Sequence, residues 1–166
     1  MVARSSLSLK GRALRLLAQR EHSRLELGRK LAAHAESLEQ VDGLLDQLQQ
    51  GGLLSEQRFA ESLVHRRSDR FGSRRIQQEL DAHRVDSTVS APVLATLRQT
   101  ERSRALGAWR KRFDGLPGTL DERARQHRFL AQRGFTSDAI GWVLRHGIDP
   151  GPDHSPDSES DAGPVT

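Results

Sequence analysis

A helical pattern that recurs about every 50 residues constrains this chain more than any other feature. Residues 23–48 lie over 72–97 without a gap at an offset of 49. Under that offset Leu27 meets Ile76, Leu31 meets Leu80, His34 meets His83, Leu45 meets Leu94 and Leu48 meets Leu97. A weaker third copy follows 50 residues further on, where Leu80 meets Leu130, Val85 meets Phe135 and Leu94 meets Leu144. A repeat of this length is one supersecondary unit that buries its apolar face against its neighbours. The pattern therefore predicts a modular surface rather than a pocket.

The boundaries follow from the punctuation. Repeat 1 spans residues 7–50, repeat 2 residues 53–99 and repeat 3 residues 100–147, followed by a tail at 148–166. Within each repeat the apolar residues recur at helical spacing, as in Val41, Leu44, Leu45 and Leu48, or Ala139, Ile140, Val143 and Leu144. No segment alternates as a strand would. The expected fold is all-α: a tandem array of three three-helix repeats, extended and curved, with a disordered acidic C-terminal tail. Units this small sit near the lower limit for independent stability, so neighbours should support one another. Ser23 with Glu26, Ser37 with Gln40 and Thr119 with Glu122 match the capping-box spacing. Ser55 and Ser73 are read as N-caps in repeat 2. Pro92 is tolerated only in a first helical turn, which places the start of the third helix of repeat 2 near Ser90, with Val89 outside it.

Composition excludes several functions. There is no cysteine, hence no disulfide, no thiolate nucleophile and no Cys-ligated zinc. No Gly-rich phosphate loop, GxSxG elbow or HExxH occurs, and the histidines form no cluster of metal-ligand spacing. We expect no catalysis, no cofactor and no metal. No apolar run suits a signal h-region or a membrane span, so the default expectation is a soluble cytoplasmic monomer without membrane contact.

Charge is the informative part of the composition. The net charge is +4, but residues 149–166 hold five acids and no Lys or Arg, so residues 1–148 carry +9. Arginine supplies 23 of the 26 bases, which suits phosphate or an acidic protein because the guanidinium fork offers paired donors. The densest cluster is Arg66, Arg67, Arg70, Arg74 and Arg75 around Phe71-Gly72. Arg74 and Arg75 open a helix, where cations are normally disfavoured, which hints at an anion to be met there. A second patch is Arg110, Lys111 and Arg112, joined by Arg102 and Arg104; a third contains Arg123, Arg125 and Arg128. Phe59, Trp109, Phe129 and Trp142 are read as core, which leaves no stacking platform for bases. Contact with nucleic acid should then be mainly to the DNA phosphate backbone, weak and non-specific.

The stretch from Gly52 through Ser55, Arg58, Phe59, Ala60 and Val64, then Arg67, Phe71-Gly72, Arg75-Ile76 and Glu79-Leu80, resembles the central signature of the RecX family. Ala13 to Leu17, Arg20 and residues 23–31 are similar to the family's first repeat. Arg128 to Phe135, Ile140, Val143 and Leu144 are similar to its third. The resemblance implies a bacterial regulatory protein that binds RecA filaments and modulates, usually inhibits, strand exchange and coprotease activity. Taken with the repeats and the charge, it leads us to expect an array lying in the filament groove, with the ten basic residues 66, 67, 70, 74, 75, 110–112, 125 and 128 meeting RecA and DNA. One departure matters. Where the family often has Gly after the second helix, this chain has Ala35 and Arg84 and keeps glycine only at Gly134. A left-handed residue at Ala35 or Arg84 costs about 1 kcal/mol, so those turns are expected to take another geometry. The rival readings are a RecA-independent nucleic-acid-binding module and a protein–protein scaffold.

Overall fold

The computed structural model describes residues 7–147, and every regular element among them is an α-helix. The first repeat holds α1 (Leu9–Gln19), α2 (Arg24–Ala32) and α3 (Leu38–Gln50). The second holds α4 (Glu56–Arg67), α5 (Ser73–Ala82) and α6 (Ser87–Gln99). The third holds α7 (Glu101–Arg110), α8 (Leu120–Gln132) and α9 (Ser137–His146). None of these helices is long and apolar enough to cross a membrane. The acidic tail at 148–166, expected to be disordered, lies outside the described residues.

Hydroxyl side chains start most of the helices. Ser8, Ser23, Ser37, Ser55, Thr119 and Thr136 each accept a hydrogen bond from a first-turn amide. Only Thr119 completes the reciprocal box, with Glu122 returning to the Thr119 amide. The Glu26 carboxylate goes to Arg20 and Lys30 instead, and Gln40 accepts from the Glu36 amide. Two expected starts are corrected. Gly72, not Ser73, is the N-cap of α5, and Ser73 is its first helical residue. Helix α6 begins at Ser87, three residues before Ser90, because Asp86 caps it through the Thr88 amide at 2.8 Å. Pro92 therefore lies inside the helix, and Val89 is within it, packed against the second core.

The second helices end in two different ways. After α5, the Val85 amide bonds the Leu80 oxygen at 3.1 Å and the Arg84 amide bonds the Asp81 oxygen at 2.9 Å. After α8, Phe135 and Gly134 make the same pair with Leu130 and Ala131. Both are Schellman turns, which place one residue in the left-handed region. Gly134 has φ +78°, and Arg84 has φ +56° despite its Cβ. The expectation of another geometry is therefore overturned at Arg84. It holds at Ala35, which has no positive φ; His34 and Ala35 make only short bonds to Leu31 and Ala32.

Each repeat has its own core. Ala13, Leu27, Leu31, Val41, Leu45 and Leu48 form the first, joined by Leu54 from the connection to repeat 2. Phe59, Leu63, Ile76, Leu80 and Leu94 belong to the second; Trp109, Leu130, Phe135, Ile140 and Val143 to the third. Phe59 and Trp109 are buried as expected, with the indole donating to Gln126 Oε1 at 2.8 Å, but Phe129 and Trp142 are only half-buried. Among the described residues Leu54, at the start of repeat 2, alone crosses from one repeat into another's buried cluster, so the array is held mainly by its joints.

The two joints use equivalent positions. Ser23, at the N-terminus of α2, hydrogen-bonds His83 Nδ1 in the C-terminal turn of α5 at 2.9 Å. Gly72, at the N-terminus of α5, donates its amide to the Arg133 oxygen in the C-terminal turn of α8 at 2.9 Å. The second helices thus abut head to tail, each N-terminus on the next repeat's C-terminal turn.

Candidate functional site

The richest geometry lies at the joint between repeats 2 and 3, beneath the densest arginine cluster. The backbones there touch. The Gly72 amide bonds the Arg133 oxygen, and the Arg74 amide bonds the Gly134 oxygen at 3.1 Å. A Cβ on Gly72 would stand 2.3 Å from that Gly134 oxygen, and one on Gly134 would stand 2.5 Å from Arg75 Cβ. Only glycine permits this approach.

Beside it, Glu101 is buried at the first position of α7. Its carboxylate accepts from the Ser73 amide at 2.9 Å, the Ser73 hydroxyl at 2.9 and 3.0 Å, and the Thr136 amide at 3.2 Å. One side chain so supplies the anion for the N-termini of both α5 and α9, where free amides and the helix dipole favour negative charge. Glu101 thus occupies the α5 N-terminus beneath Arg74 and Arg75, bonded to Ser73 rather than to either guanidinium group. Arg104 stands alongside, donating to the carbonyls of Ser68, Phe71 and Leu97 at 2.8–3.0 Å. Burial lowers its pKa, against the opposing pull of Glu101 and Asp69. Arg104 is thus a structural tie rather than part of a surface patch. Arg102 is paired with Asp138 at 3.0 Å.

The expected basic residues fall into two groups. In the first, the guanidinium carbons of Arg67, Arg70 and Arg75 surround the Phe71 ring at 5.5, 5.7 and 5.2 Å from its centre. Arg67 also bonds Glu79 at 3.0 Å, and Arg75 lies 3.9 Å from the same carboxylate. Arg66 turns its Nε onto the Ser62 carbonyl of its own helix at 3.2 Å, and the Arg74 side chain is exposed.

In the second group, Arg112 and Arg125 line one cleft of about 360 Å³ with Asp114 and Glu122. Lys111 and Arg128 are exposed, and Arg110 ends α7 with an interaction partner of its own. The cleft does not bring Arg128 to Arg112.

A residue missed in the sequence links the groups. Arg133 lies 3.8 Å over the Phe129 ring, Phe129 meets Phe113 edge-on at 5.2 Å, and Arg112 lies 5.7 Å over Phe113. The Arg133 carbonyl receives the Gly72 amide, so the backbone that carries this run abuts the backbone that carries the Phe71 cluster. Guanidinium groups and half-buried phenyl rings are thus paired on both sides of the joint, as Arg112, Phe113, Phe129 and Arg133 in repeat 3 and as Arg67, Arg70 and Arg75 about Phe71 in repeat 2. The spacing of Phe129 and Arg133, one helical turn apart, was the available signal. Among the described residues, no group of three His, Cys, Asp or Glu is placed to hold a metal.

Two family models match the chain: the second three-helix domain of RecX over residues 55–94 and the third over residues 100–144. Regulatory protein RecX of Leptothrix cholodnii is 51% identical over 142 residues, covering 86% of this chain and 90% of that protein. Its counterpart in Ralstonia pickettii is 49% identical over 141 residues, covering 85% and 89%. The crystal structure of RecX from Lactobacillus salivarius matches with a TM-score of 0.69 at 18% identity, over 83% of this chain and 93% of that one. At that identity the structural likeness speaks for the fold alone. The family models and the curated relatives go further: this chain belongs to the RecX family of regulatory proteins.

Proposed function

We propose that this chain binds the RecA filament and inhibits strand exchange and coprotease activity without catalysing a reaction. The observation that carries this reading is the two sets of arginines and phenyl rings that flank the joint of repeats 2 and 3. It offers planar cationic groups, held at defined spacing by a rigid joint, to carboxylates of a protein and phosphates of DNA at once. Arg66, Arg67, Arg70, Arg74 and Arg75 form one end of the contact surface; Arg110, Lys111, Arg112, Arg125 and Arg128 form the other. The body acts as a cytoplasmic monomer laid along the filament groove. Its contact with DNA alone is weak and salt-dependent, since phosphate binding releases counterions.

The test is strand exchange by the cognate RecA, titrated with wild-type protein and with Arg70→Glu/Arg74→Glu. Both side chains are exposed, so the fold should survive. Inhibition by the wild type and a loss of about tenfold or more in the variant is the expected result. A wild type without effect on exchange, ATP hydrolysis or coprotease activity at any ratio sinks the proposal. DNA binding that persists without RecA at physiological salt would favour a plain nucleic-acid-binding module instead.

A further inference from the structure

The internal repeat supplies a control for reading the surface of repeat 1. Between α2 and α3 runs a groove of about 440 Å³, walled by Leu25, Ala32 and Leu38 and closed at one end by His83 and Arg84 of repeat 2. Leu38 is 69% exposed. At the equivalent positions, 49 residues on, repeat 2 has Arg74 for Leu25, Asp81 for Ala32 and Ser87 for Leu38. The same helical unit therefore folds with polar residues there. The apolar wall of repeat 1 is not a requirement of the fold, and an exposed apolar strip with a polar rim marks a contact surface.

The rim carries three arginines, Arg24, Arg29 and Arg84, and two carboxylates, Asp42 and Glu56. Arg24 is paired with Asp46 at 2.7 Å and lies 3.7 Å from Asp42; Glu56 accepts the Asp86 amide at 3.4 Å. Arg29 and Arg84 have no ion-pair or hydrogen-bond partner for their guanidinium groups among the described residues. Arg84 is held at φ +56°, where repeat 3 has glycine. A cation near the end of α5 gains from the helix dipole, but one in the last turn would gain it without strain. A strained residue with an unused side chain at the mouth of an apolar groove points to a use outside the fold.

We propose that this groove docks an acidic amphipathic helix of the protein partner. An apolar side chain of that helix inserts between Leu25 and Leu38, and its carboxylates meet Arg29 and Arg84. The identity of the partner rests on the RecA reading; the site does not. The chain's own acidic tail at 148–166 fits poorly, because its large apolar residues are only Ile148 and Val165, at its two ends, with none among the acids between them.

The test uses full-length protein carrying a photo-reactive phenylalanine at position 38 or, as control, at position 87. Each is irradiated with cognate RecA filaments on single-stranded DNA. Position 38 should cross-link to a RecA segment in which carboxylates flank an apolar residue, and position 87 should not. The double variant Leu38→Ser/Arg84→Gly should melt no lower than the wild type, since glycine relieves the backbone. It should nevertheless need about tenfold more protein for equal inhibition of strand exchange. Unchanged inhibition with no cross-link from position 38 overturns the docking and leaves the RecA reading standing. A wild type that does not affect RecA overturns both. A cross-link from position 38 to DNA, or to a second copy of this chain, also overturns it.

Discussion

Between repeats 2 and 3, two backbone hydrogen bonds, a glycine–glycine approach and a buried carboxylate hold the units together, and Thr100 alone separates α6 from α7. Between repeats 1 and 2 the equivalent contact is one hydroxyl–imidazole hydrogen bond, supported by the His83 ring 4.8 Å from Phe59 and the Arg58–Glu21 pair at 2.8 Å. Five residues, 51–55, connect those repeats. The difference comes from one position. Gly72 has no side chain, so the neighbour's backbone enters its space; at Ser23 the hydroxyl fills that space and the neighbour reaches it only with a side chain. Backbone contacts are fixed by the fold, whereas side-chain contacts have rotamers to spend. We therefore expect a stiff unit of repeats 2 and 3 and a first repeat whose angle yields on binding. That division matches the chemistry: the arginine run lies on the stiff part, and the apolar groove lies where the yielding joint closes it.

The largest predicted effect breaks the stiff joint. Glu101→Ala leaves the Ser73 and Thr136 amides buried without an acceptor and should cost about 3–5 kcal/mol by chemical denaturation. Amide exchange at Ser73 and Thr136 should accelerate, while the Leu31 amide in repeat 1 keeps its protection. Equal loss across all three repeats would mean that the array unfolds as one unit. Gly72→Ala comes next, at about 1–3 kcal/mol or more, because the added carbon must push the repeats apart. Its signature is a changed angle between repeats 2 and 3 in solution scattering. An unaltered profile with wild-type stability would show that the close approach is not obligatory.

Acid should act on the other side of the comparison. His22 is buried beside the first joint; its Nδ1 donates to the Arg20 carbonyl at 2.9 Å and its Nε2 accepts from Lys30 at 3.1 Å. This arrangement is the neutral imidazole, and burial first of all holds its pKa below the ordinary value. For Glu26, burial alone would raise the carboxyl, but hydrogen bonds from Arg20 and Lys30 prevail and lower it to about 2. Both groups bind protons more weakly folded than unfolded. Stability is thus highest above about pH 6.5 and falls as His22 is asked to protonate, then falls again between about pH 4.5 and 2 as Glu26 does. The Glu26 step should be about 1–2 kcal/mol after screening, since Arg20 is over a third exposed. Exchange protection in repeat 1 should be lost at higher pH than in repeat 3; the reverse order would contradict the assignment.

The smallest effects test the weak joint itself. Ser23→Ala removes a cap and the His83 bond together and should cost about 1 kcal/mol. Arg58→Ala should cost no more than about 1 kcal/mol, because that pair is solvent-exposed. A loss from Ser23→Ala as large as that from Glu101→Ala would erase the distinction between the joints.

The sequence made the local structure legible because local rules decide it. Ser37 and Thr119 cap where their spacing to Gln40 and Glu122 says they should, Ser55 caps as its residue type suggests, and the leucine stripes lie in the cores. Pro92 misled because the first-turn rule competes with a strong cap at Asp86, and the cap prevailed. The site was less legible because its parts meet across 28 to 62 residues. Glu101 looks like any acid in a first helical turn until Ser73 and Thr136 are brought to it. Arg104 looks like a member of a basic patch until the carbonyls of Ser68 and Phe71 claim it. Charge counting finds arginines; only the fold separates those spent on the backbone from those left for a partner.

The head-to-tail joint has a polarity, and a polar joint can be repeated without limit. Each repeat offers one end that receives and one that is received, as a monomer does in a growing polymer, and nothing in the geometry closes the chain into a ring. Growth stops at α8. Helix α8 runs to Leu120, three residues beyond the start that the spacing of α5 would give it, and there Thr119 and Glu122 satisfy from within the helix the first amides that α5 gives to its neighbour's turn through Gly72 and Arg74. A helix end so satisfied leaves fewer free amides for a neighbour's turn than the Gly72 end does.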